Sequence, residues 1–244
     1  MRSEWIKVRT VRVNYVLGII AAAFPIVVVG LIAALTSDEQ DVARNLVGAV
    51  TGTMVLTSLL LGVVGALNLT SEFSHNTIRS TFAAAPQRTR VLLSKAIVTL
   101  ASTLIAAAII EFLTYLVGSL ILSSRDADVV LDGSDKAALL GAVILAGLLS
   151  MLGFGLGLLI RNSPATITLL ILWPLLLESI LQGVLGAAGI EEPAPWLPYT
   201  SAILMASPDL NDSDPSRIHG GLYLGSVVIG LIIIGLAVNK RRDA

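Results

Sequence analysis

Glu111 and Glu178 are the residues of this 244-residue chain best placed to do chemistry, because each stands within a long run of apolar side chains. A carboxylate in hydrocarbon costs at least about 2.5 kcal/mol on insertion scales, which makes such a group a functional candidate by default. Two chemistries suit it. It can form part of a polar patch in a substrate path, or it can take up and release a proton. The plain alternative is a protonated Glu hydrogen-bonded to a neighbouring helix, with Thr114 or Ser179 as a partner. Pro25 and Pro174 are expected to kink their helices, and Pro174 lies one turn before Glu178, where it can help shape a cavity.

A second group of polar residues gathers between residues 70 and 95. Glu72, His75, Asn76 and Arg79 recur at i, i+3, i+4 and i+7 and so share one helical face. Phe73, Thr77, Ser80 and Ala84 follow a neighbouring stripe. The spacing predicts a short helix over 71–82, with Ser71 as N-cap and Glu72 in the first turn. Pro86 ends it, and Arg88, Arg90 and Lys95 mark the return to apolar sequence. A polar helix between two membrane spans is a docking surface; a basic loop that only anchors topology is the competing reading.

Other chemistry finds no support. The G-x-x-x-x-G-K-[ST] motif is absent, so the chain does not bind ATP in the P-loop manner by itself. H-E-x-x-H and G-x-S-x-G are absent too, and there is no cysteine for a disulfide, thiolate metal site or nucleophile. His75 and His219 are the two histidines, and they fall on opposite membrane faces in the topology below. Glu191 and Glu192 have no nearby histidine or arginine to complete a site and read as a solvated loop. Gly153, Gly155 and Gly157 lack the third glycine of a nucleotide loop and lie in an apolar span. No catalytic residue, metal site or cofactor is assigned to this chain, and a net charge of −1 suggests no nucleic-acid partner.

The elements that must position these residues are membrane helices. The chain is 55% hydrophobic and 14% charged, with mean hydropathy +0.86, against about 25% charged in soluble domains. Six apolar segments run over about 14–35, 46–69, 96–122, 137–160, 165–189 and 221–238, each near the ~20 residues that cross a ~30 Å core. Barrel strands would be shorter and strictly alternating, so the class is an all-α integral membrane protein. With both termini inside, 12 of 16 Lys and Arg residues fall on the cytoplasmic side. The acidic residues sort the other way, 12 of 17 lying in the three outer loops.

The basic N-terminal segment, 1–13, has Trp5, Val8, Val11 and Tyr15 at helical spacing, the profile of an interfacial amphipathic helix, with a short strand as the local alternative. The apolar run that follows is too long for a signal peptide and reads as a retained first span. The pairs Gly48/Gly52, Gly153/Gly157 and Gly221/Gly225 are expected to let helices approach closely. The outer loop, 190–220, is proline-rich, with Trp196 and Tyr199 placed for the interface; 196–206 reads as a short helix at the outer leaflet or as a proline-stiffened loop.

Glu72-Phe73, Thr77-Ile78-Arg79-Ser80-Thr81, Pro86, Arg88, Arg90, Val91 and Lys95 together resemble the first cytoplasmic loop of ABC-2 type transporter permeases. That resemblance implies one transmembrane domain over 1–244 with an elbow helix, six spans and a coupling helix in the loop between spans two and three. It implies a pair of permease subunits, identical or related, bound to a separate ABC ATP-binding subunit that carries ATP and magnesium. Glu72, Phe73, His75, Thr77 and Arg79 would then contact the ATPase, and Arg88, Arg90 and Lys95 would anchor the loop at lipid headgroups. The function implied is an exporter in a bacterial inner (plasma) membrane, moving an amphipathic or hydrophobic substrate such as a drug, antibiotic, peptide or lipid. Two alternatives stand beside it: a proton-coupled secondary transporter using Glu111 and Glu178, and a non-transporting membrane anchor subunit.

Overall fold

The computed structural model describes residues 12–74, 88–190, 193–210 and 214–242. In chain order the helices are α1 (Arg12–Leu35), α2 (Glu39–Arg44), α3 (Leu46–Ser74), α4 (Arg88–Ser123) and α5 (Gly133–Ile160). They continue with α6 (Ser163–Leu172), α7 (Glu178–Ala187), α8 (Pro198–Ile203) and α9 (Arg217–Arg242). No strand occurs among the described residues. Six helices are long and apolar enough to cross a membrane: α1, α3, α4, α5, α6 running on into α7, and α9. Of the elbow expected over 1–13, residues 1–11 lie outside the described residues and 12–13 belong to α1; the part of the coupling helix from 75 onward also lies outside them.

Local chemistry sets the helix ends. Asp38 caps α2 by accepting from the Asp41 N–H at 3.1 Å, with Glu39 and Asp41 in the first turn and Arg44 in the last. Asp132 and Asp135 form a reciprocal capping box at the start of α5. At the other end of α5, Arg161 adopts a left-handed conformation, φ 56°, that closes the helix. Asn162 then caps α6 through the Ala165 N–H at 3.0 Å, with Pro164 in the first turn, where its missing N–H does no harm. Pro174 has no N–H to give the preceding turn, and the chain answers with a π turn over Trp173–Leu177 before α7 resumes the span.

The centre of the bundle is the crossing of α3 and α5, its most extensive helix pairing. Gly153 of α5 and Gly65 of α3 make it possible. A Cβ on Gly153 would come within 2.3 Å of the Gly62 carbonyl oxygen, and one on Gly65 within 2.3 Å of the Ser150 carbonyl oxygen. Without side chains the backbones meet directly, as membrane helices do at small residues. The Gly153/Gly157 expectation therefore holds, and its complement on α3 is Gly62 with Gly65. Gly48 and Gly52 serve no such contact: Gly48 reaches only Pro208, and Gly52 faces open space. In α9 it is Gly220, one residue before the expected pair, that meets a backbone, the Ser201 carbonyl of α8.

Around this centre, α1, α6–α7 and α9 turn mostly exposed apolar faces outward. Two ends of the bundle differ in charge. One holds Arg88, Arg90, Lys95, Arg161 and Lys240; the other holds the acidic loops that contain α2, α8 and residues 124–132. We call these the basic and acidic faces. With 29 and 36 residues, α3 and α4 run about 43 and 54 Å at 1.5 Å per residue, well beyond a ~30 Å core.

Candidate functional site

The ends of α3 and α4 at the basic face are joined by a buried ion pair. Lys95 Nζ donates to Glu72 Oε1 at 2.6 Å, and the two side chains are only 2% and 8% exposed. Ser71 is therefore not an N-cap. It sits inside α3 and its hydroxyl donates to the Leu67 carbonyl at 2.6 Å. The apolar run of α3 carries the helix through Thr70 and Ser71 to Ser74 before the loop begins. Glu72, expected to face a partner, turns inward instead, and Lys95, expected at lipid headgroups, is its partner. Arg90, by contrast, is exposed near the start of α4. His75, Thr77 and Arg79 lie outside the described residues.

The same end of α3 grips the turn between α5 and α6. The Arg161 guanidinium lies over the Phe73 ring, 5.0 Å from its centroid, a cation–π contact. Ser163 Oγ donates to Thr70 Oγ1 at 2.9 Å and lies 3.3 Å from Ser74 Oγ. Arg161 also donates to the Asn239 side-chain oxygen near the end of α9. Asn239 in turn donates to the carbonyls of Leu158, at 2.9 Å, and Gly235, at 2.7 Å. The polar knot at this face thus joins α3, α4, α5, α6 and α9. Arg161 and Asn239 escaped sequence reasoning. The signal was there: one arginine in a four-residue turn, and an asparagine closing an otherwise apolar span.

The two intramembrane carboxylates have opposite surroundings. Glu178 is fully buried, and both oxygens are occupied by donors. Trp173 Nε1 and the Tyr199 N–H each reach Oε1 at 2.9 Å; the Thr200 N–H and hydroxyl reach Oε2 at 2.8 and 2.9 Å. Gln182 completes the set by donating to Thr200 Oγ1 at 2.8 Å. The carboxylate of α7 thereby satisfies the free N–H groups at the start of α8, which has no capping side chain of its own. Ser179 is not the partner; it bonds to the Leu175 carbonyl at 2.9 Å. Helical and buried, the 198–206 stretch also corrects the interfacial placement of Tyr199, which is 4% exposed while Trp196 is 68% exposed. Burial, then the nearby Glu178, pushes the Tyr199 phenol up to about 12.

Glu111 is 4% exposed, and neither carboxylate oxygen has a hydrogen-bond partner among the described residues. Thr114 is turned away, its hydroxyl on the Ile110 carbonyl at 2.8 Å. The structure does not bring Glu111 and Glu178 into contact through any hydrogen bond. No group of three His, Cys, Asp or Glu residues suited to a metal ion occurs among the described residues.

A search of curated proteins finds no match. Among protein-family models, the one described as ABC-2 family transporter protein matches residues 1–187, from the N-terminus through the end of α7. The match covers more than half of the chain, and the protein belongs to the ABC-2 transporter family as a multi-pass membrane permease.

Proposed function

We propose that this chain is the permease subunit of an ATP-driven exporter, docking a separate ATP-binding subunit through the loop between α3 and α4. The basic face is then cytoplasmic, with both termini on that side, in a bacterial plasma membrane. ATP and magnesium belong to the partner. Two permease chains, alike or related, enclose the path, and the apolar spans favour an amphipathic or hydrophobic cargo. The observation that carries this reading is the polar knot at the base of the loop. Both helices that present the loop outrun the hydrocarbon; Glu72–Lys95 ties them to each other and Phe73–Arg161 ties α3 to the end of α5. A push on the loop has a stiff route into α5, α6 and α9. On this reading His75, Thr77 and Arg79 carry the docking surface, Phe73 and Glu72 its rigid root.

The test is a mild-detergent pull-down of the tagged chain from its own membranes. A stoichiometric soluble protein with a P-loop supports the reading, and recovery of the chain alone under several mild conditions overturns it. A proton-coupled transporter is favoured by one observation, the Glu111 carboxyl with no hydrogen-bond partner among the described residues. It predicts transport that survives ATP depletion and collapses with the proton gradient. Glu178, with four donors on its oxygens, is assigned to holding α8.

A further inference from the structure

On the membrane-facing side of the acidic half, a groove of about 720 Å³ opens between α5, α9 and the segment after α8. That lies within the ~300–1,000 Å³ common for small-ligand sites. Its walls are apolar: Ala137, Leu140, Ile144 and Leu148 on α5, with Gly221 and Leu222 on α9. Leu140 and Leu222 are 62% and 70% exposed, so the rim faces hydrocarbon. Gly221 leaves one wall without a side chain, the nearest atoms to a Cβ there being the Met205 thioether at 3.0 and 3.1 Å. From Ala137 to Leu148 is eleven residues of one helix, about 16 Å, and one leaflet of a ~30 Å core is about 15 Å deep. The groove has the length of one leaflet.

At its shallow end stands Arg217, the first residue of α9. Nη2 donates to Ser134 Oγ at 2.8 Å and to the carbonyls of Ser207 and Pro208 at 2.7 and 3.1 Å. These partners are neutral, and Arg217 pairs with no carboxylate among the described residues. Nη1 makes no bond to the described residues. Asp132, Asp135 and Asp209 line a separate cavity of about 460 Å³ together with Arg44. No acidic residue lines the groove. An arginine held rigidly by neutral oxygens at the mouth of a leaflet-long apolar channel complements an anionic head on a hydrocarbon tail.

We infer that this groove binds one phospholipid of the leaflet at the acidic face, an acyl chain along α5 and its phosphate on Arg217. The inference is independent of how transport is driven. The lipid would lie against Gly221 and the Met205 thioether that covers it, and brace the 205–210 segment against α5 and α9.

The test uses the full chain in mild detergent, offered phosphatidylglycerol or diacylglycerol with matched chains and weighed by native mass spectrometry. The wild type is expected to prefer phosphatidylglycerol by about tenfold or more, the scale of one hydrogen bond to a charged group. Arg217→Gln abolishes that preference. Because Arg217 also secures the 207–208 backbone, Ala137→Phe is the second variant: it leaves every Arg217 partner in place and obstructs the channel, weakening both lipids. Binding of both lipids unchanged in Ala137→Phe overturns the site, whatever Arg217→Gln does. The chain has no cysteine, so Leu222→Cys tests the rival occupant cleanly. A disulfide-linked dimer of that variant in membranes would place a second copy over the groove and also overturn the proposal.

Discussion

Lys95 and Glu72 show how charge survives among apolar helices: the two meet as an ion pair with both side chains almost out of solvent. Breaking a buried pair by removing one partner costs about 3–5 kcal/mol. Lys95→Met is therefore expected to lower thermal stability in detergent by that order. The double variant Lys95→Met with Glu72→Gln should recover most of it, since neither side then carries a buried charge. Equal melting of wild type and Lys95→Met would deny the pair its holding role. Glu178 poses a different question, because it accepts from donors that have no second choice. Glu178→Gln turns an amide N–H₂ toward at least one of them and is expected to cost about 1–3 kcal/mol. It should expose 193–210 to limited proteolysis, an effect a purely proton-coupling carboxylate would not have. Tyr199 adds a pH dependence. Its folded-state pKa, about 12, lies above the ordinary value of 10.0, so the stabilisation is complete below about 10 and disappears as pH climbs toward 12. Protease resistance of α8 should hold through neutral pH and fail only in strong alkali.

At the scale of elements, the crossing of α3 and α5 carries the sharpest expectation. Gly153→Val would drive methyl groups onto the Gly62 carbonyl, where the contact is backbone and has no flexible end to yield. Overpacking of this kind costs about 1–3 kcal/mol, with the upper end expected here. Gly52→Val, which faces open space, is the control and should melt like the wild type. The six spans were legible because a 20-residue apolar run has few other uses. The partner of each glycine was not, since a G-x-x-x-G pair reports a small-residue stripe and says nothing of what approaches it. Gly62 and Gly65, three residues apart, formed no such pair and were missed for that reason. Likewise the 71–82 pattern suggested a fresh helix at Ser71, when apolar continuity simply carried α3 on to Ser74. Glu178 was recognised as unusual from its neighbours alone, but three of its four donors lie about twenty residues away in α8, beyond any periodicity.

For the molecule as a whole, the polar knot ties the described ends of α3 and α4 to each other and α3 to α5 and α6. Arg79→Glu is expected to reduce ATPase co-purification at least tenfold, the scale of losing one charge-assisted bond. It should leave membrane insertion and melting unchanged, because Glu72–Lys95 and Phe73–Arg161 remain. Undiminished co-purification and export in that variant would move the docking surface elsewhere. The family was legible from the sequence pattern of a single loop. Cargo and path were not, because a translocation path has no fixed residue spacing within one chain.

The glycine crossing also says something about birth. Gly65 and Gly153 lie 88 residues apart in the sequence, and a ribosome adding about 5–20 residues per second takes about 4–18 s to make that stretch. Throughout that interval α3 is already in the bilayer with its notched face bare, while α4 enters between it and its eventual mate. The central seam of the permease closes late. Until then a bulky residue at Gly65 would go unnoticed, and a chain cut short before α5 would leave lipid alone to occupy the notch.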